Sequence, residues 1–203
     1  MIVIIDYGLG NLGSVKNTLD NLGASSMISK SKIDIEKADA LILPGVGSAK
    51  QGMENLKKAG LDKILIEEIK KGKPFLGICL GMQLLFSKSE EGDVKCLNVV
   101  DGKVKMFSNK LKIPQIGWNE VRIKNSELRV KNLFNKIPNN SSFYFVNSFY
   151  CLPDDKSIVV GETEYEINYC SVLLKNNITA TQFHPEKSGQ VGQQFIKNWI
   201  KLI

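Results

Sequence analysis

The chain has 203 residues, of which 43% are hydrophobic, and it carries a formal net charge of +6 at pH 7. This length fits a single domain, spanning residues 1–203, that can bury a full core. The lysines are dispersed among acidic residues and no aromatic residues are interleaved with them, which argues against nucleic-acid binding.

Cysteine usage and the apolar runs restrict the class of protein further. The four cysteines are widely spaced, contain no C-x-x-C pair and are accompanied by one histidine, so we expect neither a metal site nor a disulfide framework. The N-terminal apolar run is too short for a signal peptide, and no run reaches membrane-spanning length. We therefore expect a cytoplasmic protein that binds no membrane and needs no cofactor.

The first half of the chain alternates between strand-like and helix-like segments. Residues 2–6 are an unbroken apolar run that ends in Asp6, typical of a buried parallel strand. The later segments, in chain order, are a helix at 14–22, strands at 26–29 and 38–43, a helix at 52–71 and a strand before Cys79. This alternation predicts an α/β fold with an open, mostly parallel central sheet flanked by helices on both faces.

The second half has a different character, with short strand-like pieces separated by turn residues. These pieces lie at 99–104, 119–123, 142–149, 158–160, 170–174 and 179–183. They predict an additional antiparallel strand region, and a closing helix is expected from about Val191 to the C-terminus.

A glycine-rich turn, residues 8–13, follows the first strand and matches the G-x-G-x-x-G fingerprint of dinucleotide-binding proteins. That fingerprint also needs an acidic residue at the end of the second strand, but no acid occurs there before Asp34. A dinucleotide-binding module therefore stays an alternative. We favour the interpretation that this turn lets the backbone approach a partner or a crevice.

Cys79 lies at the centre of a Gly-x-Cys-x-Gly segment, residues 77–81, between a strand-like run and a helix-like run at 82–86. This is the pattern of a nucleophile elbow, with cysteine in place of serine. The start of the following helix favours the thiolate form of the sulfur. A free cysteine is often only a buried core residue, but glycines on both sides favour a nucleophile.

His184 is the only histidine, and Glu186 follows it two positions later. It ends the apolar-alternating run 178–183, which would place it where a strand opens into a crevice. A thiolate nucleophile needs a proton carrier and a group that orients the carrier, and these two side chains can supply both. The pattern predicts a cysteine hydrolase or transferase.

A second glycine turn, Pro44-Gly45-Val46-Gly47, follows the strand at 38–43. Neighbouring strand ends of a parallel sheet lie about 5 Å apart, so this turn and the Cys79 turn can face one pocket. The backbone N–H groups of Gly45, Val46, Gly47 and Leu80 are candidate oxyanion donors. The alternative is an ordinary strand-to-helix turn.

Together these motifs resemble the class I, or triad-type, glutamine amidotransferases, whose elbow reads GICLGMQLL and whose base motif reads HPE, as here. Within that family the similarity is greatest to the branch that makes imidazole glycerol phosphate for histidine biosynthesis. The resembling segments are residues 6–11, 44–47, 77–86, 114–119, 144–148 and 182–188.

The resemblance implies a glutaminase subunit in which Cys79 attacks the side-chain amide of L-glutamine, His184 transfers protons and Glu186 orients His184. It implies that Gln83, Glu91 and Ser148 contact the substrate. The ammonia would pass to a (β/α)8-barrel synthase subunit in a heterodimer. Asn11, Trp118, Tyr144 and Lys187 match positions near that interface.

Two residues depart from the family pattern: Gln115 and Asn147 stand where relatives usually carry histidine. Neither position belongs to the triad, so we expect hydrolysis to survive. The change is either drift between polar side chains or the mark of a paralogue that supplies ammonia for nucleotide-sugar or surface-glycan synthesis. A stand-alone cysteine amidohydrolase that needs no partner is a further alternative.

Overall fold

The computed structural model describes residues 1–108, 110–124 and 127–203. In these ranges the strands are β1 (Ile2–Ile5), β2 (Ser26–Ser29), β3 (Ala40–Gly45), β4 (Phe75–Cys79), β5 (Phe86–Ser89), β6 (Val94–Lys95), β7 (Val100–Met106), β8 (Gln115–Ile123), β9 (Ser141–Asn147), β10 (Phe149–Pro153), β11 (Val159–Tyr165), β12 (Ile167–Lys175) and β13 (Ile178–Thr181). The α-helices are α1 (Leu12–Asn21), α2 (Lys32–Lys37), α3 (Ala49–Ala59), α4 (Leu61–Lys70), α5 (Leu80–Gln83), α6 (Leu128–Leu133) and α7 (Gly189–Ile200). None of the helices in these ranges is both long and apolar enough to cross a membrane.

The central sheet joins a parallel half to an antiparallel half. Its main path runs β2-β1-β3-β4-β13-β12-β10-β7-β5-β6, and the first five strands pair in parallel. From β13 onward most pairs are antiparallel, and β11, β8 and β9 extend the sheet from β12. This arrangement confirms the predicted α/β fold, including the antiparallel region in the second half.

Helices bury apolar side chains on both faces of the sheet. Alternate residues of β1 point to opposite faces, as the two-residue period of a strand requires, so Val3 and Ile5 join one core cluster and Ile2 and Ile4 the other. The first cluster is closed by α2, α3 and α4, through Ile35, Met53, Leu56, Leu61 and Leu65. The second cluster is closed by α1, α6 and α7, through Val15, Leu19, Val130, Phe195 and Trp199.

Three of the predicted elements differ from the structure. The helix expected at 52–71 is two helices, α3 and α4, because Gly60 adopts a left-handed φ of 64° between them and ends α3. The helix expected at 82–86 ends early, since Phe86 starts β5 and pairs with Val100. The segment 142–149 forms two strands, β9 and β10. The sequence did not predict the short elements α2, α6, β5 and β6.

Gly81 is where the elbow tolerates no side chain, and we expect Gly81→Ala to destabilise the fold by about 3 kcal/mol or more. A Cβ at this position would lie 1.7 Å from the carbonyl oxygen of Leu43 on β3. Gly13 in α1 is the matched control, because its Cβ would meet nothing within 4 Å. Gly13→Ala should stabilise the protein by about 0.5–1 kcal/mol, through helix propensity.

Urea unfolding followed by circular dichroism measures both changes. If Gly81→Ala unfolded at the same urea concentration as the wild type, the inferred close contact between the elbow and β3 would be contradicted.

Candidate active site

Three neighbouring parallel strands bring the predicted catalytic segments to one edge of the sheet. Gly45 at the end of β3 pairs with Cys79 at the end of β4, and Thr181 at the end of β13 pairs with Ile78. The chain that leaves β13 reaches His184 three residues later. The Gly45–Gly47 turn, the Cys79 elbow and the only histidine of the chain therefore meet at the carboxyl edge, where open α/β sheets bind ligands.

Cys79 occupies a strained backbone conformation, with φ 53° and ψ −107°. A non-glycine residue in such a sparsely populated region costs on the order of 1–3 kcal/mol and needs support from its surroundings. The flanking glycines supply part of that support, because a Cβ at Gly77 would lie 3.0 Å from the carbonyl oxygen of Gly81. The residue predicted to be the nucleophile is thus one of the strained positions of the backbone.

The glycine-rich turn at residues 8–13 packs closely against the Pro44–Gly47 turn. A Cβ at Gly10, whose φ is 107°, would lie 3.2 Å from the carbonyl oxygen of Pro44. This contact agrees with the interpretation that glycine at this turn permits close backbone approach. It places the turn that carries Asn11 beside the Gly45–Gly47 turn.

His184 is held rigidly from both ends. Its ring Nδ1 lies 2.8 Å from Oε1 of Glu186, and only 2% and 1% of the two side chains are exposed. The backbone N–H of His184 donates to the carbonyl of Tyr144 at 2.9 Å. The hydroxyl of Ser188 donates to the carbonyl of His184 at 2.7 Å. Glu186 thus fixes the orientation of the imidazole and leaves Nε2 as its free end.

The charge state of His184 is coupled to Cys79. Burial disfavours the charged imidazolium, but the negative charge of Cys79, together with the hydrogen bond and charge of Glu186, outweighs it and raises the pKa of His184 to about 10. Nε2 has no aligned hydrogen-bond partner among the described residues. Such loose alignment is common in catalytic sites before substrate binds. Cys79 and Glu186 therefore both favour the protonated form of the imidazole.

Cys79 opens onto a cavity of about 220 Å³ that all three predicted substrate contacts, Gln83, Glu91 and Ser148, also line. Burial raises the pKa of the Glu91 carboxyl, and this carboxyl accepts a hydrogen bond of 2.6 Å from the backbone N–H of Ala49. Val46, Gly47 and Leu80 line the same cavity. A larger polar cleft of about 520 Å³ lies along β8 and β11 and shares only Trp118 with the predicted site residues.

None of the four predicted interface residues lines the 220 Å³ cavity beside Cys79. Trp118 is 59% exposed and meets the Tyr144 ring edge to face, with ring centroids 6.1 Å apart. Lys187 is exposed and directly follows Glu186. Asn11 is exposed, and its side chain caps α1 by accepting from the N–H of Ser14 at 3.3 Å. In the structure, Asn11 therefore has a capping contact that sequence reasoning did not assign.

Gln115 and Asn147 are paired neighbours on β8 and β9, and both are buried. The hydroxyl of Tyr169 donates to Oε1 of Gln115 at 2.9 Å, and Nδ2 of Asn147 donates to the carbonyl of Phe149 at 3.1 Å. Asn147 also lines the cavity beside Cys79. The two departures from the family pattern are thus one local cluster.

Sequence reasoning missed two neighbours of the sulfur. The carbonyl oxygen of Val146 lies 3.7 Å from the Cys79 Sγ, and Nε2 of Gln182 lies 3.6 Å from it. Gln182 had a usable signal, since extended residues two apart share a side and His184 is two positions on. In the ranges that the structure describes, no three His, Cys, Asp or Glu side chains group as a metal site requires.

Comparison with known proteins identifies the family to which the chain is similar. The family model for class-I glutamine amidotransferases matches residues 3–202. The imidazole glycerol phosphate synthase subunit HisH of Herpetosiphon aurantiacus is 43% identical over 203 residues, covering 100% of this chain and 94% of that protein. The subunit HisH 2 of Methanococcus maripaludis is 47% identical over 205 residues, covering 99% of each.

Solved structures agree on the fold. A crystal structure of a glutamine amidotransferase superposes with a TM-score of 0.77 at 15% identity, covering 100% of this chain and 98% of that one. PurLQS from Thermotoga maritima gives a TM-score of 0.75 at 19% identity, covering 99% and 97%.

Proposed function

The chain belongs to the class-I glutamine amidotransferase family, and on this premise we propose that it is the glutaminase subunit of an imidazole glycerol phosphate synthase. It hydrolyses L-glutamine and supplies the ammonia for a step of histidine biosynthesis. The observation that carries this function is the identity of 43–47%, over essentially the whole chain, to subunits of that synthase.

In the proposed mechanism, Cys79 attacks the side-chain amide carbon of glutamine and forms a γ-glutamyl thioester. His184 accepts the thiol proton and returns a proton to the departing nitrogen, which leaves as ammonia. It then takes a proton from water as the water attacks the thioester, which releases glutamate and restores the thiol. The ion pair with Glu186 supports this role, because it keeps the ring oriented through both steps.

We propose that the Gly45–Gly47 turn and Leu80 stabilise the oxyanion through backbone N–H groups. This proposal is supported by the pairing of Gly45 with Cys79 across β3 and β4, which brings the turn next to the sulfur. Gln83, Glu91 and Ser148 would hold the substrate. The Glu91 carboxylate would pair with the α-ammonium group of the substrate glutamine. All three line the cavity beside the sulfur.

The names of the relatives describe subunits of a synthase, which implies a partner. We propose that this partner is a (β/α)8-barrel subunit that forms a heterodimer with the chain and covers the active site. Ile116 and Trp118 are 62% and 59% exposed on β8 and offer it apolar surface. Asn11, Tyr144 and Lys187 would complete that interface. Residues 1–203 are proposed to act as one domain, and the cytoplasmic location stays a prediction.

A paralogue with another ammonia acceptor, in nucleotide-sugar or surface-glycan synthesis, is the second candidate. It is favoured only by the replacement of two histidines of the family pattern at neighbouring positions, Gln115 and Asn147. The buried contacts of both side chains within this chain fit a change in local hydrogen bonding equally well.

Ammonia release from glutamine tests the proposal, measured with the chain alone and with a barrel synthase subunit and its acceptor nucleotide. We expect slow hydrolysis alone and stimulation on the order of 10²-fold when the partner aligns the oxyanion donors. Imidazole glycerol phosphate should accumulate in step with glutamate. Stimulation without that product would favour the second candidate, and failure to hydrolyse glutamine under any condition would refute the function.

A further inference from the structure

A fully buried glutamine side chain touches the proposed nucleophile. Gln182 is 0% exposed, and its Nε2 lies 3.6 Å from the Cys79 sulfur. On another side, the sulfur lies 3.7 Å from the carbonyl oxygen of Val146. A carbonyl oxygen only accepts, so Val146 suits the protonated thiol, whereas an amide N–H only donates and suits the thiolate. The two contacts therefore favour opposite protonation states of the same atom.

A glutamine amide can present either its oxygen or its nitrogen, and the neighbouring contacts decide which end of Gln182 faces the sulfur. Nε2 of Gln83 donates to Oε1 of Gln182 at 3.1 Å and to the carbonyl oxygen of Phe149 at 3.2 Å. Because a backbone carbonyl cannot donate, the Gln83 amide must turn its nitrogen, not its oxygen, toward the carbonyl of Phe149. Gln83 in turn holds the oxygen of Gln182, which leaves the Gln182 N–H directed at the sulfur.

We propose that Phe149, Gln83 and Gln182 form an orienting relay that keeps one N–H donor on Cys79 and so stabilises its thiolate. Gln182 acts on the reacting sulfur directly, and Gln83 is a positioning residue that acts through Gln182. The proposal deepens the proposed function, since it rests on Cys79 as the nucleophile. It also explains why a glutamine precedes the proton carrier by two positions, where its side chain reaches the sulfur rather than solvent.

The relay can be tested without glutamine by measuring the rate of Cys79 alkylation by iodoacetamide against pH. The modified Cys79 peptide is quantified by mass spectrometry, which separates it from the other three cysteines. Gln182→Met keeps the volume but removes the donor, and we expect it to raise the midpoint of the Cys79 profile by about one pH unit. Gln182→Glu also adds negative charge and should raise the midpoint further.

Gln83→Met tests the positioning role, because the Gln182 amide would then be free to turn its oxygen to the sulfur. Its midpoint should rise by less than that of Gln182→Met. Asn198→Leu is the matched control, since Asn198 is a buried amide on α7 whose side chain donates to the carbonyls of Leu133 and Asn135 rather than to a relay residue. Its midpoint should stay at the wild-type value, although its stability falls.

Upward shifts in both folded Gln182→Met and folded Gln182→Glu, with the Asn198→Leu profile unchanged, support the relay. A wild-type midpoint in either folded Gln182 variant, or an equal shift in Asn198→Leu, overturns it. The outcome is independent of glutaminase activity. A protein that never hydrolyses glutamine would refute the proposed function, while the alkylation profiles alone decide the relay.

Discussion

Cys79→Ala is expected to reduce glutamine hydrolysis by a factor on the order of 10⁴ or more, measured as glutamate formed in the presence of the synthase partner. Alanine cannot form the thioester, and no other described cysteine is placed to replace it, since Cys79 alone of the four lines the 220 Å³ cavity. Burial raises the pKa of the Cys151 and Cys170 thiols, which makes them poor nucleophiles.

The fold should survive this change, because the side chain is small and alanine retains its Cβ. The variant should elute with the partner at the wild-type complex volume, which separates loss of chemistry from loss of assembly. Cys96→Ala is the matched control: Cys96 is partly buried, its pKa is raised to about 11 by burial, and it lies outside the cavity. Substantial hydrolysis by folded Cys79→Ala would remove the nucleophile from the account.

His184→Asn is the second large effect, with an expected loss on the order of 10³-fold in kcat. Asparagine can occupy the space but cannot carry a proton between the thiol, the leaving ammonia and water. The imidazolium also stabilises the thiolate, so the alkylation rate of Cys79 at neutral pH should fall as well. A residue that merely packed against the elbow would not change the protonation of the sulfur.

Gln194→Leu is a suitable control for this variant, because Gln194 lies on α7 and its side-chain amide donates to Oδ1 of Asn198, at 2.7 Å. It should keep the wild-type kcat. A His184→Asn variant with normal kcat and normal alkylation would show that the sole histidine takes no part in the reaction.

The parallel half of the fold was predictable because its strands are short apolar runs that glycine turns interrupt. The break at Gly60 was not, since one glycine in a helical pattern costs only about 1 kcal/mol relative to alanine and the pattern continues past it. Strand β5 was missed for a different reason. It pairs with β7, whose Val100 lies well downstream of Phe86, and local sequence carries no signal of that pairing.

The sequence likewise predicted some residues of the site and missed others. Cys79 and His184 were readable from turn chemistry and from the rarity of histidine in this chain. Their meeting depends on the order β3-β4-β13, which the sequence only suggested. Gln182 was not identified, although it lies two positions before His184, because it is 103 positions from Cys79 and its amide is oriented by Gln83, which in turn donates to Phe149.

One titration tests the central claim, that the sulfur of Cys79 and the imidazole of His184 form an ion pair. The chain has a single histidine, so ¹³C-histidine labelling of the tag-free protein gives one imidazole signal to follow by NMR against pH. We predict a midpoint near the raised pKa of about 10, and a clearly lower midpoint in Cys79→Ala, where the thiolate charge is gone. A midpoint near the ordinary value of 6.5, or one that Cys79→Ala leaves unchanged, would contradict the pair.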